Sequence, residues 1–383
     1  MTEHEDLDAL VTELNAGAPQ PPGAGEQTVR LRAWLEQVVA RGASDLLLVA
    51  GAPPSLRVDG AVVALESAYG GPLGSDEIED AVLPALPPHS RRIYRETGIA
   101  DGSHRSKDLG RFRINLHHER GRSAVAIRRL PAIVPRLASL HLPPTVEALS
   151  RLPRGLVLVG GPTGSGKTTT LAALVNEINC REARHIITIE DPIEYEHQHR
   201  KSLVEQVEIG IDAPDFPTAL RAALRQAPDI IVVGEMRDPE TMQIAVAAGE
   251  TGHLVFATVH ATDVAAAVAR IVDGFPAERQ NAVRQELAMA LSAVLTQTLI
   301  PTAAGTLAPA AELLIFSYGA RQHIRKNALQ HLHQEITMTR HNGSFTFEES
   351  LARLVREGRL AIEEARARAA HREELDGMLG TVS

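Results

Sequence analysis

The chain has 383 residues, of which 44% are apolar and 23% charged, and its formal net charge is −9. That length accommodates two or three domains, and the composition excludes fibrous and disordered classes. The acidic balance, with no long Lys/Arg run, argues against a nucleic-acid partner, because neutralising phosphates needs clustered cations.

Residues 1–28 are acidic and then turn Pro- and Gly-rich ("NAGAPQPPGAGEQ"), which reads as a tail and linker. The opening "MTEHEDLDAL" has no basic stretch followed by an apolar one, so no secretory signal is expected. "LRAWLEQVVARG" places Leu31, Leu35, Val38 and Val39 at helical spacing and stops at Gly42. "SDLLLVAG" and "PSLRVDGAVVAL" predict short strands, with a turn at Asp59-Gly60. A helix-like stretch follows near 75–97, and "GRFRINLHHERGRSAVAIRRLP" reads as a hairpin ending at Pro131. Residues 29–131 therefore predict a small α+β domain, and 132–150 a linker.

From about Leu152 to the end, 151–383, apolar runs alternate with helical stretches. The candidate strands "LVLVG", "HIITIE", "DIIVVGE" and "HLVFATVH" imply an α/β domain with a parallel central sheet. The run at 287–300, "LAMALSAVLTQTLI", is too short and too polar to cross a bilayer. From about 310 the pattern reads as mostly helical and charged. Cys180 is the one cysteine, so neither an internal disulfide nor a four-cysteine zinc site can form. A reducing, cytoplasmic location fits that usage.

"GPTGSGKTTT" (161–170) carries the chemistry. Gly161 to Thr168 match G-x-x-x-x-G-K-[ST], after a buried strand and before a helix with Leu171, Leu174, Val175 and Ile178 on one face. Glycines let the backbone wrap phosphate oxygens, and the helix N-terminus adds a positive dipole end. Gly161, Pro162, Thr163, Gly164, Ser165, Gly166, Lys167, Thr168 and Thr169 are thus expected to hold ATP. Lys167 would bridge the β- and γ-phosphates and Thr168 would offer its hydroxyl to Mg²⁺. Glu235 ends the strand "DIIVVGE", the edge where open α/β sheets bind ligands, and suits a magnesium-bound water. "TIEDPIE" (188–194) gathers Glu190, Asp191 and Glu194 on a second strand end, and one of them could act as general base. His253 and His260 bracket "HLVFATVH", while "HQHR" (197–200) and "HLH" (331–333) read as solvated polar stretches.

These four segments, in this order, resemble the secretion-type ATPases, most closely the type IV pilus retraction (PilT-like) ATPases. Their Walker A, Asp box, Walker B and His box look like "GPTGSGKTTT", "TIEDPIE", "VGEMRD" and "ETGHLVFATVHATD". "RGASDLLLVAGAPPSLRVDG" (41–60) and "GRFRINLHHERG" (110–121) resemble the same family's N-terminal domain. The resemblance covers about 30–360. It implies a PAS-like domain before a RecA-like ATPase domain, working as a homohexamer. The motor would sit in the cytoplasm, associated with the inner face of the membrane through a pilus platform protein. By position, Glu194 would be the general base and Glu235 the Walker B acid. His253 and His260 would lie near the γ-phosphate. Arg113 and Arg128 would reach a neighbouring subunit's nucleotide as arginine fingers, with Arg111, Arg120, Arg122 and Arg129 as rivals.

Two departures stand out. The retraction subgroup's "AIRNLIRE" element is matched by "GARQHIRK" (319–326), with Lys326 in place of the acid, and "SLGMQTFD" by "HNGSFTFEE" (341–349). The expected function is an ATP-hydrolysing motor for pilus retraction. Its competitors are a pilus-assembly or type II secretion ATPase, which usually carries a four-cysteine zinc loop, and an accessory nucleotide-gated scaffold.

Overall fold

A computed structural model describes residues 28–66 and 69–380. The tail expected over 1–28 lies outside the described residues except for Thr28. That residue caps the helix α1, Val29–Ala40, its hydroxyl accepting from the Leu31 amide at 3.2 Å. The chain divides into two compact units: residues to Ile133 with Asp191–Glu196 and Val207–Asp215, and the remainder from Val134.

The first unit is built on an antiparallel sheet of β1 (Asp45–Val49), β2 (Ser55–Val58), β3 (Ala61–Ala64), β4 (Ile99–Ser106), β5 (Gly110–Glu119) and β6 (Arg122–Arg129). Their order is β3-β2-β1-β6-β5-β4. The β2–β3 turn uses Asp59 and Gly60, and the β5–β6 turn Arg120 and Gly121, all at positive φ, as two-residue hairpins require. Alternation along β5 and β6 sends Phe112, Ile114, Leu116, Val125 and Ile127 into the core with Leu31, Trp34, Leu35 and Val38 of α1. The arginines at 111, 113 and 128 fall on the opposite face. The stretch near 75–97 is two helices, α2 (Ser75–Val82) and α3 (Pro88–Thr97).

In the second unit β7 (Gly155–Gly160), β8 (His185–Glu190), β10 (Ile230–Val233) and β11 (Leu254–Val259) are the four expected parallel strands. Three more complete the sheet: β9 (Leu203–Glu208), whose last two residues the division assigns to the first unit, β12 (Leu291–Pro301) and β13 (Leu307–Ile315), giving β13-β12-β7-β11-β10-β8-β9. The run at 287–300 is therefore the end of one helix and most of a strand. The expectation of a helical tail from 310 holds only after β13. Residues 132–150 are no bare linker: Leu137, Leu142, Val146 and Leu149 are buried with Val157 and Val159 in the second unit's core. The chain enters that unit at Val134.

Candidate active site

The six residues of β7 are all buried, and the chain leaves its C-terminal end into a loop closed by α4, Lys167–Arg181. Gly161, Gly164 and Gly166 all have positive φ. A side chain at Gly161 would also collide with the Gln297 carbonyl oxygen and the Ser165 hydroxyl, so the tight wrap demands glycine there. Leu171, Leu174, Val175 and Ile178 bury the helix against the sheet, as their spacing predicts. The Lys167 ammonium donates to the carbonyls of Gly161 and Pro162, both at 2.8 Å. It is folded over the cradle's mouth with hydrogen-bonding capacity that a phosphate oxygen can take over.

Gln297 on β12 ties the loop to its helix. Its amide donates to the Ser165 carbonyl at 2.7 Å and its oxygen accepts from the Thr170 hydroxyl at 2.9 Å. Sequence reasoning missed this residue. Its one signal is a glutamine between two threonines in a mostly apolar run, and in the structure it is buried to 4% exposure.

Glu235 follows β10 and Gly234. Its carboxylate pairs with Arg237 at 2.8 Å and with the His260 imidazole at 3.0 Å. Burial opposes the charged form, but the Arg237 guanidinium, with His260 and Lys167 adding their fields, holds this carboxyl below the usual carboxylate range. Arg237 lay in the quoted motif without an assigned role. Glu190 ends β8, where its carboxylate accepts from the Thr188 hydroxyl at 2.7 Å and the Gln206 amide at 3.1 Å.

The two histidines separate. In the parallel register Leu254 pairs with Gly155 and Val259 with Gly160, so His260 lies at the P-loop end of β11 and His253 at the other. Seven residues of strand amount to roughly 20 Å. The expectation that His253 lies near the γ-phosphate therefore fails: its ring reaches the Ala248 carbonyl at 3.2 Å and its own carbonyl accepts from Gly155. The "HQHR" stretch is also not simply solvated, since burial pushes the His197 imidazole down to about 4. His333 stacks on His371 with centroids 4.0 Å apart.

The acids of "TIEDPIE" fall on either side of the division between units. The division between units falls after Glu190, so Asp191–Glu196, including Glu194, belongs with the first unit. The arginines sort by their place in that unit's sheet. Arg113 and Arg128 are direct cross-strand partners, hence neighbours on one face. Each is exposed and holds one carboxylate, Asp101 at 3.4 Å and Asp45 at 2.9 Å. Arg129 pairs across from Phe112, on the other face. Arg120 and Arg122 sit at the β5–β6 turn beside Glu119, six residues or roughly 20 Å of strand from Arg128. Arg111 shares the face of Arg113, yet only 11% of its side chain is exposed and it pairs with Glu208.

Residues 138–375 match the family described as "Type II/IV secretion system protein". A "Twitching motility protein" of Neisseria gonorrhoeae is 42% identical over 304 residues, covering 79% of this chain and 81% of the relative. "Type IV pilus ATPase PilU" of Pseudomonas aeruginosa is 38% identical over 346 residues, 90% of each. Among solved structures, the "Crystal Structure of the Pilus Retraction Motor PilT and Bound ADP" superposes with a TM-score of 0.81 at 39% identity. It covers 92% of this chain and 100% of that one.

Proposed function

This chain belongs to the type II/IV secretion system protein family and is an ATP-hydrolysing enzyme similar to the pilus retraction ATPases, and from that premise we propose that it works as a homohexameric motor retracting a type IV pilus. The observation carrying the ATPase reading is the P-loop itself, three positive-φ glycines leading into a helix whose first residue is Lys167. Phosphate oxygens would be held by the loop's N–H groups and by Lys167, which exchanges its loop carbonyls for the β- and γ-phosphates.

A magnesium ion would arrive with the nucleotide. The donors at hand, the Thr168 hydroxyl and the ionised Glu235 carboxylate, are hard oxygens that fit it. Among the described residues no cluster of three or more His, Cys, Asp or Glu could hold a metal unaided. Magnesium supplies charge neutralisation on the phosphates. Glu194 takes the proton from the water that attacks the γ-phosphorus as the bond to the β-phosphate oxygen breaks, and ADP carries off that bond's electrons. Arg113 and Arg128 act as fingers on a neighbour's nucleotide, His260 steadies Glu235, and the machine docks peripherally at the inner membrane face. No helix among the described residues is long and apolar enough to cross a membrane.

Glu194→Gln should retain ATP binding and lose on the order of 10²–10⁴ in turnover, the usual cost of removing a general base. Normal turnover by that variant with an inactive Glu235→Gln would reassign the base. Two observations favour a second reading, an accessory motor subunit: Lys326 replaces an acid in the 319–326 element, and the pilus ATPase PilU is similar over 90% of the chain. Gene deletion with single pili watched directly decides between them. Loss of all retraction supports the motor, and retraction that persists with reduced force supports the accessory subunit.

A further inference from the structure

The segment carrying Glu194 is fastened by a buried ion pair between Arg111, within the 110–121 segment, and Glu208, which lies in none of the segments quoted above. Arg111 on β5 donates through Nη1 to the Ile193 carbonyl at 2.6 Å and through Nη2 to Glu208 Oε2 at 2.6 Å. The same Glu208 oxygen accepts from the Ile193 amide at 3.2 Å. Both backbone polar groups of Ile193, the residue before Glu194, are thus held by one Arg–Glu pair. The pair is itself braced. Glu208 Oε1 accepts from the Ser103 hydroxyl at 2.5 Å, the Ser103 oxygen accepts from Arg111 Nη2 at 3.3 Å, and the Glu208 amide donates to Asp212 at 2.8 Å. On the other side of Glu194, Glu196 pairs with Arg105 and lies 3.5 Å from Arg111 Nε.

Arg111 is 11% and Glu208 5% exposed. Taking both charges out of water is costly unless geometry and added hydrogen bonds offset it. This site uses the planar fork, one prong on a carboxylate and the other on a peptide carbonyl, which a lysine ammonium cannot reproduce.

We propose that Arg111 and Glu208 are a positioning pair for ATP hydrolysis, clamping the Ile193 peptide groups to the first unit's sheet so that the Glu194 carboxylate is held in its working orientation. The proposal rests on Glu194 being the general base. It removes Arg111 from the candidates for trans-acting fingers, since its guanidinium is committed within its own chain.

The test uses the full-length protein and compares turnover with binding. Replacing both partners, Arg111→Gln with Glu208→Gln, avoids stranding one buried charge. A misplacement of about 1 Å typically costs on the order of 10² in rate, so kcat should fall by about that factor. Affinity for a non-hydrolysable ATP analogue should stay within about threefold, because phosphate binding is left alone. In the Glu194→Gln background the same double change should cost less than about twofold, since residues acting as a unit are not additive. Arg111→Lys, which keeps the charge and loses the fork, serves if the double variant misfolds, and should lose kcat without losing analogue binding. In mixed rings with Lys167→Ala subunits, Arg111→Lys should gain nothing.

An unchanged kcat, a matching loss of analogue binding, a full additive loss on top of Glu194→Gln, or rescue in mixed rings would each overturn the positioning pair. Normal turnover by Glu194→Gln would overturn the base assignment and the proposal with it. Normal turnover by the pair variant beside an inactive Glu194→Gln would overturn the proposal alone.

Discussion

Glu312 on β13 lines a cavity of about 510 Å³ that Pro162 of the phosphate loop, Asp263, His333, Glu348 and His371 also line. Burial, helped by the nearby Asp263 and Glu348 carboxylates, pushes its carboxyl up to about 7, against hydrogen bonds from the Val264 amide and the Thr296 hydroxyl. A carboxyl raised on folding binds its proton more tightly in the native state, so its contribution is present below the unfolded value near 4.3 and is lost as pH rises towards 7. The loss is on the order of 3 kcal/mol. Glu312→Gln cannot ionise and keeps an acceptor for Val264. Relative to the parent its unfolding free energy should therefore improve between pH 4 and pH 8, most of it by pH 7. The difference isolates Glu312 from His197, whose lowered value tilts both proteins the other way. A pH-independent difference in denaturant titrations would show that folding leaves the Glu312 carboxyl unshifted. At this scale the P-loop residues and Glu235 were legible because their spacing is local and their chemistry fixes their type. The part played by Arg111 was not. Period-two alternation puts it on one face with Arg113, and only Glu208, 97 residues away, separates a clamp from an exposed arginine.

β12 shows how an element can escape sequence reasoning and still shape the site. Leu291 to Pro301 lies between β7 and β13, and Ala293 to Gln297 are buried in succession, so the run carries no alternation to distinguish strand from helix. The helix Ala277–Ala290 passes straight into it. By contrast β7, β8, β10 and β11 were legible because each short apolar run is bounded by turn or helix signals. From β12, Gln297 reaches the phosphate loop. Gln297→Leu fits the strand but leaves the Thr170 hydroxyl and the Ser165 carbonyl without this partner. It should cost about 1–3 kcal/mol in urea unfolding, the usual desolvation penalty of a buried polar group. The loosened loop should also raise the KM for ATP, read in the same preparation. Unchanged stability together with an unchanged KM would mean that Gln297 does not hold the loop.

At the scale of the molecule, the division into units changes which experiment isolates the arginine fingers. A fragment starting near 150 would lack Arg113 and Arg128, but also Arg111 and most of the unit to which Asp191–Glu196 belongs, so its inactivity could not be assigned to fingers. Mixing intact subunits avoids that. Lys167→Ala and Arg128→Ala, each inactive alone, should regain part of the parent activity when mixed, because one interface can pair a sound P-loop with a sound arginine. A finger is worth roughly 10³–10⁵ in rate, so recovery stands well above background. Rings that form and stay inactive at every ratio would show that Arg128 does not act in trans. What the sequence by itself determined was the two kinds of architecture, the phosphate loop, and the order of acids and histidines along the chain. Each of these rests on short-range pattern, the periods of strand and helix and the glycines a tight loop demands. Tertiary structure alone decided that His260, and not His253, stands at the phosphate-loop end of their strand, that β12 supplies Gln297, and that Glu194 is anchored among residues of the first unit. Those facts depend on register and on partners roughly 100 residues distant, and loop closure over such lengths costs so little more than over short ones that chain position does not reveal them.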